Sequence, residues 1–388
     1  MATQRKKPSR RTRTRPKAKP WAFVVRPGFE SELISEIPDN YQPESPAEGI
    51  VVASARPSDG SGWSTIAFAQ QAMETLGKPI QAHSELLADA LTKEIISIYP
   101  QTKSIPWTIQ VVSPPTSATH DPRRKRAREI DERIAEALDA RLDRRIAEAF
   151  VDDPTEAERI AQVWLIDEDT AITGFTRSKD CISIFPAGKP MVEPLADAPS
   201  KSGLKLQEAF QWLNLEPSRG ETVVDLGAAP GAWAQVMLSY NTKLIAVDRQ
   251  NLKITLPKKK AEYFQGNAFQ FSPSETVDWM LVDMAQRPLD LAKLAAKWGR
   301  HSWARQMLIS FKMPDKNRVE MLQRILKILT DAGWKGIKAR QLYHNKNEVT
   351  VFGWLDPKLI QRGRLAGFDE MKKKRDAAPK PKGRRKRR

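Results

Sequence analysis

Five charged residues stand at the ends of apolar segments. Asp225, Asp248, Asp283 and Lys312 each close an apolar run, and Glu348 stands at the end of another. In an open α/β sheet, ligands bind outside the carboxyl ends of the strands. A single strand-end charge usually marks the point where the chain meets water. A lysine that faces an aspartate across such an edge is harder to explain that way, because in its neutral form it can act as a base.

The stretch 221–248 predicts one half of a nucleotide-binding α/β sheet. A β-branched strand leads into a turn of small residues, and a helix and a second strand ending at Asp248 follow. Gly227, Ala228 and Gly231 would let a ligand lie against the backbone, and Pro230 suits the entry to a helix. Asp248 is placed to accept hydrogen bonds from a ribose diol. The turn lacks the spacing of a pyrophosphate-binding loop, and the alternative is a crossover without a ligand.

The chain of 388 residues is long enough for several domains. Residues 1–20 are predicted to form a disordered basic tail, and residues 21–184 a small α+β region. Residues 185–203 contain four prolines and predict a linker. Strands and helices then alternate over residues 204–356, which predicts an α/β domain with a mostly parallel sheet. Residues 357–388 are predicted to form a second basic, disordered tail.

Within the first region the apolar patterns predict both strands and helices. A helical or mixed pattern is found over residues 63–73 and again over residues 85–99. An apolar stripe predicts one long helix that continues to Phe150, with charges on its other faces. Its start, residues 123–128, is a basic cluster. The remaining predicted elements are strands at 21–25, 50–52, 107–112, 163–166 and 171–175 and a helix at 30–37.

The net charge of +17 comes from the two ends of the chain. Residues 1–20 contain nine Lys and Arg and no acid, and residues 371–388 contain eleven Lys and Arg and one acid. The rest of the chain is therefore slightly acidic. Blocks of like charge favour polyanions such as a phosphate backbone. The alternative is that the tails serve only solubility.

Cysteine, histidine and hydropathy argue against several other classes of protein. Cys181 is the only cysteine and the four histidines are scattered, so no metal site is expected. A single cysteine suits a reducing compartment, and no apolar run is long enough for a membrane span. We therefore expect a cytoplasmic protein without a membrane partner.

Seven segments together resemble the RrmJ/FtsJ class of S-adenosylmethionine-dependent RNA 2′-O-ribose methyltransferases. More narrowly, they are similar to the RlmM-type 23S rRNA (cytidine 2′-O)-methyltransferases. The segment around residues 25–30 and the strands with Trp107 and Trp164 more weakly resemble that family's THUMP-containing region. The seven segments are 198–200, 204–210, 225–231 with Trp233, 283–288, 311–314, 339–344 and 348–351.

The resemblance implies a Rossmann-like class I methyltransferase sheet, with S-adenosylmethionine as the cofactor. It implies RNA, specifically 23S rRNA and not DNA, as the partner. The implied catalytic residues are Lys205, Asp283, Lys312 and Glu348, with Lys312 as the general base that takes the 2′-hydroxyl proton. The implied cofactor-binding residues are Asp225, Gly227, Ala228, Pro230, Gly231, Trp233, Asp248, Asn267 and Asp283.

Several alternatives remain at this stage. The substrate could be another RNA, or the protein could be an inactive RNA-binding assembly factor. Methylation of a base is disfavoured because residues 283–288 contain no aromatic side chain that could stack on a flipped base. The first region could bind RNA, with residues 123–128 as one contact surface, or it could be a structural cap on the α/β domain. The sequence does not indicate an oligomeric state.

Deletion of residues 1–20 and 372–388 should weaken RNA binding and reduce its dependence on salt. Each lost lysine or arginine contact to a phosphate removes one released counterion from the binding equilibrium. Titration of RNA at several salt concentrations measures both quantities. An unchanged salt slope would support the solubility interpretation.

Overall fold

The computed structural model describes residues 19–56, 66–99 and 104–356. The predicted tails therefore lie outside the described residues, except for Lys19 and Pro20. In the described part of the chain, no helix is long and apolar enough to cross a bilayer.

The first sheet is antiparallel and has the order β2-β3-β1-β4. Helix α1 (Glu30–Glu36) packs against one face of this sheet. Its strands are β1 (Trp21–Val25), β2 (Glu44–Ala47), β3 (Ile50–Ala53) and β4 (Ala69–Glu74). The helical or mixed interpretation of residues 63–73 was wrong for β4, because pairing with the buried strand β1 overrides the weak helical pattern there.

A second sheet has the order β5-β8-β7-β6 and its own apolar core. Three helices, α2 (Ser84–Ile98), α3 (Arg123–Asp139) and α4 (Arg144–Ala147), accompany it. Its strands are β5 (Ile80–Gln81), β6 (Trp107–Val112), β7 (Arg159–Leu165) and β8 (Thr170–Arg177).

The long helix predicted up to Phe150 is interrupted. Helix α3 ends at Asp139, and the carboxylate of Asp143 accepts a hydrogen bond from the backbone N–H of Ile146 and begins α4. Leu142 and Ile146 are nevertheless buried, as the apolar stripe predicted. The periodicity therefore indicated which side chains are buried, but it did not show that an aspartate cap divides the helix.

The third sheet contains seven strands in the order β11-β10-β9-β12-β13-β15-β14. Strands β9 to β13 pair in parallel, and β15 inserts antiparallel between β13 and β14. This confirms the predicted α/β fold with a mostly parallel, Rossmann-like sheet. The strands are β9 (Thr222–Leu226), β10 (Lys243–Asp248), β11 (Ala261–Gln265), β12 (Val277–Val282), β13 (Ala304–Lys312), β14 (Lys335–Arg340) and β15 (Glu348–Trp354).

Helices cover both faces of this sheet, which explains why its central strands are almost continuously apolar. Helices α5 (Gly203–Leu213) and α6 (Ala232–Ser239) pack on one face. Helices α7 (Pro288–Arg300) and α8 (Arg318–Asp331) pack on the other face. Helix α7 ends at Arg300, shortly before Ala304 pairs with Val277 in the sheet.

The first sheet shares its core with the third, because α1 packs against α8. Arg318 Nη1 donates to Glu32 Oε1 at 2.6 Å, and its guanidinium lies over the ring of Phe29 at 4.5 Å. The backbone N–H of Gln341 also donates to the carbonyl of Ala67 at 2.8 Å. These contacts fix the first sheet beside the turn that precedes β15.

Arg123, the first residue of the predicted basic surface, is buried. Its guanidinium donates to both carboxylate oxygens of Asp121, at 2.9 and 3.1 Å, and to the carbonyls of Pro114, Leu165 and Ile166. Arg123 was therefore wrongly included in that surface, whereas Arg124, Lys125 and Arg128 are exposed.

The substitution Arg123→Ala should lower the free energy of unfolding by about 3–5 kcal/mol, because it leaves the buried Asp121 carboxylate with only the more distant Arg124, at 3.9 Å, as a cation. Lys125→Ala is the matched control, since the Lys125 side chain is 83% exposed and its ion pair is with Glu129, and it should change stability by less than about 0.5 kcal/mol. Urea unfolding of the full chain measures both. Equal losses in the two variants would contradict a structural role for Arg123.

Candidate active site

The turn after β9 brings its backbone into close contact with neighbouring segments. Gly227 has a φ of +86°, and a Cβ atom there would lie 2.1 Å from Met284 Cγ. Gly231 has a φ of +117°, and a Cβ atom there would lie 2.7 Å from Ile254 Cγ1. Both positions therefore require glycine. With the small side chain of Ala228 between them, the turn passes close to Met284 and Ile254 at the carboxyl edge of the sheet.

Asp248 holds this turn in place. Its carboxylate accepts hydrogen bonds from the backbone N–H of Ala229 at 3.0 Å and of Gln250 at 2.8 Å. Each oxygen keeps a second lone pair, which a ribose diol could use. Asn267 follows the adjacent strand β11 at the same edge, and its Oδ1 accepts from the N–H of Phe269 at 3.1 Å. Asp248 and Asn267 thus lie on neighbouring strands, where an adenosine could be held.

The indole of Trp233 is not part of this open edge. It is buried among apolar side chains of α5 and α6, and its Nε1 donates to the carbonyl of Ser202 at 2.9 Å. Trp233 therefore ties α6 to the segment before α5. The tryptophan stands beside the turn in sequence, but its side chain points into the core.

Asp225 is a fully buried carboxyl group at the end of β9. Neither of its oxygens has a hydrogen-bond partner among the described residues. Burial, together with the negative charges of Asp283 and Asp248, raises the pKa of Asp225 to about 8. Asp225 is therefore protonated at neutral pH and acts as a neutral group beneath the cluster of carboxylates.

Lys205 lies between two carboxylates that come from separate strands. Its Nζ is 3.4 Å from Glu348 Oε1 and 3.8 Å from Asp283 Oδ1, and its side chain is only 15% exposed. Burial raises the pKa of Asp283, and the ammonium group of Lys205 opposes that rise. The structure thus brings together Lys205, Asp283 and Glu348, which are far apart in sequence, and Lys205 is not a solvent-facing helix residue.

Lys312 ends β13 next to this cluster. It pairs in register with Glu348, and Asp283 directly follows Val282, which pairs with Ile309 on the same strand. The Lys312 side chain is exposed, and it forms no ion pair within the described part of the chain. An exposed amine at the edge of a carboxylate cluster is accessible to a substrate.

Glu208 is a site residue that the sequence analysis missed. It accepts hydrogen bonds from the backbone N–H of Tyr343 at 2.6 Å and of His344 at 2.9 Å, and it contacts His344 Nδ1 at 2.8 Å. Glu208 therefore fixes the turn that leads to Glu348. Its position three residues after Lys205, on the same side of α5, was the available signal.

Residues 198–338 match the family model described as FtsJ-like methyltransferase. This part of the chain is therefore similar in sequence to the FtsJ-like methyltransferases, as predicted. The Rossmann-like sheet is the fold that this similarity implies.

The relatives carry a more specific name, Ribosomal RNA large subunit methyltransferase M. The protein of Marinomonas sp. is 35% identical over 201 residues, which cover 49% of this chain and 57% of the relative. That of Xanthomonas oryzae pv. oryzae is 32% identical over 217 residues, covering 53% and 62%. That of Halorhodospira halophila is 36% identical over 172 residues, covering 43% and 50%. The chain thus spans half to less than two thirds of the length of these curated relatives.

The raised pKa of Asp225 predicts a pH effect on stability. Between about pH 4 and pH 8 the unfolded chain loses this proton while the folded chain keeps it, so the contribution of Asp225 to stability falls as pH rises. Asp225→Asn removes this contribution, and its stability relative to the unsubstituted protein should therefore increase from pH 5 to pH 8.

Urea unfolding at several pH values measures the difference between the two proteins. The buried carboxyl of Glu36, whose pKa burial also raises to about 8, remains in both proteins and cancels from the comparison. A stability difference that is constant with pH would contradict a buried neutral Asp225.

Proposed function

We propose that this protein is an S-adenosylmethionine-dependent methyltransferase that methylates the 2′-hydroxyl of a ribose in RNA. The observation that carries the proposal is the position of Lys205 between Asp283 and Glu348, next to Lys312 and at the same sheet edge as the glycine-containing turn. The similarity of residues 198–338 to FtsJ-like methyltransferases supports the reaction class.

The residues around the turn fit the proposed cofactor. Gly227 and Gly231 let the turn pass close to Met284 and Ile254, Asp248 can accept from a ribose, and Asn267 can face an adenine. The turn contains Ala228 and Pro230, and the buried Asp225 precedes it. The indole of Trp233 ties the helix after the turn to the carbonyl of Ser202. When bound, S-adenosylmethionine supplies a methyl group on a sulfonium, which is already activated as an electrophile.

The protein then has to align a ribose hydroxyl and remove its proton. Lys312, in its neutral form, accepts that proton as the oxygen attacks the methyl carbon. Lys205 keeps the carboxylates of Asp283 and Glu348 in place, and these carboxylates orient the amine and the hydroxyl. The main requirement is that the ribose hydroxyl is aligned with the methyl donor, because the leaving group needs no further activation.

The proposed substrate is 23S rRNA, because the relatives are named as large-subunit ribosomal RNA methyltransferases. A cytidine is the target in the family that the sequence resembles. The first two sheets would then form a THUMP-like RNA-binding region, with Arg124, Lys125 and Arg128 on α3 as exposed cations. Such a substrate would place the protein in the cytoplasm.

Lys312→Ala should lower methyl transfer to 23S rRNA by about 100-fold or more, the contribution of a positioned general base. RNA affinity should change by less than about twofold. Lys316→Ala is the matched control, because Lys316 is an exposed lysine in the loop that follows β13, and it should retain activity.

Transfer of labelled methyl groups from S-adenosylmethionine to rRNA measures activity, and filter binding measures affinity. Full activity of Lys312→Ala would contradict the assignment of the base. An unsubstituted protein that binds rRNA without methylating any RNA would instead indicate an assembly factor.

A further inference from the structure

Arg26 extends from the first sheet towards the candidate active site. It follows β1, and its Nη2 donates to the carbonyl of Tyr343 at 2.6 Å. Tyr343 belongs to the turn that Glu208 fixes and that leads to Glu348. Arg26 is therefore one of the contacts between the first sheet and the catalytic edge.

The guanidinium of Arg26 is incompletely used by the protein. Its Nε is buried without a hydrogen-bond partner in the described ranges, and the bond to Tyr343 is the only one that the side chain forms within them. A guanidinium has five N–H donors in a planar fork that matches a phosphate. Arg26 thus carries unused donors at the border of the site.

Arg26 is a cation at the border of an acidic cluster. Burial lowers the pKa of Arg26, whereas Glu348 and Glu208 raise it. Both carboxylates are occupied, Glu348 by Lys205 and the N–H of Lys346, and Glu208 by the turn at 343–344. An RNA strand must bring its phosphates past this acidic cluster, and a cation at its border would offset the repulsion.

Arg318 is another arginine at the junction, and its hydrogen-bond donors are used differently from those of Arg26. Its donors are taken up by Glu32 at 2.6 Å and by Asn347 Oδ1 at 3.1 Å, and its guanidinium stacks over Phe29. Arg318 therefore holds the two parts of the chain together. Arg26 makes one backbone contact in the described ranges, and its Nη1 forms no hydrogen bond there.

We propose that Arg26 binds a phosphodiester of the RNA next to the target nucleotide, so that the first sheet forms part of the substrate site. The inference rests on the proposed function for the identity of the ligand. It assigns a phosphate subsite to a residue more than three hundred positions away from Glu348 in the sequence.

The test compares Arg26→Gln, Arg26→Lys and the control Glu32→Gln in the full chain, with 23S rRNA as the probe. Arg26→Gln should raise KM for RNA by about tenfold, as expected for one charge-assisted contact, with kcat within about threefold. The slope of RNA affinity against salt should fall by about one. Glu32→Gln removes the ion pair at the junction and should leave that slope unchanged.

Arg26→Lys keeps the charge but not the planar fork, so it should keep the salt slope and raise KM by a smaller factor. An unaltered salt slope in a folded Arg26→Gln protein would overturn the proposal and leave Arg26 a structural contact. If Arg26→Gln does not fold, an unchanged KM in Arg26→Lys would overturn it, and a raised KM would support it.

Failure of this inference can be distinguished from failure of the proposed function. RNA affinity and its salt dependence are measured without methyl transfer, so the slope tests Arg26 even if the unsubstituted protein proves inactive. Conversely, an active protein in which Arg26→Gln has no effect on RNA would leave the proposed reaction intact.

Discussion

The arrangement at the carboxyl edge of the third sheet depends on one ammonium group. Asp283 and Glu348, which come from the strands on either side of β13, would repel each other, and Lys205 from α5 lies between them at 3.8 and 3.4 Å. A charge that is only 15% exposed is stable there because two opposite charges compensate it. The position of α5 on the sheet therefore determines whether the cluster forms, and Glu208 on the same helix also fixes the turn before Glu348.

Three aspartates at the same edge differ in their surroundings and therefore in their roles. Asp225, Asp248 and Asp283 end three adjacent strands of one sheet. Asp225 is buried and neutral, Asp248 is held by backbone N–H groups, and Asp283 faces a lysine. One carboxyl is therefore a buried neutral group, one is placed for a ligand, and one belongs to the charged cluster. Environment, and not residue type, assigns these roles.

Much of this edge could be predicted from the sequence, because a parallel sheet collects the ends of its strands. The apolar runs that precede Asp225, Asp283 and Lys312 are such strands, and the glycines at 227 and 231 mark the turn. The interruption at Asp143 was not predictable from the apolar stripe, because the same residues stay buried whether or not the helix continues.

Contacts between distant segments were the part that local patterns could not reveal. Arg26 and Tyr343 are 317 residues apart, and nothing in either segment indicates the other. Arg123 looked like one of several surface cations, and only the fold shows that carbonyls of the β7–β8 hairpin and Asp121 surround it. The shared core of the first and third sheets is a similar case, since it depends on α1 meeting α8.

The position of the transferred methyl group tests the central claim most directly. RNA labelled from S-adenosylmethionine by the full chain can be hydrolysed with alkali, which cannot cleave the chain after a ribose that carries a 2′-O-methyl group. The account predicts that the label is recovered in alkali-resistant dinucleotides. Label in mononucleotides would show methylation of a base and would contradict the roles given to the cluster of Lys205, Asp283, Lys312 and Glu348.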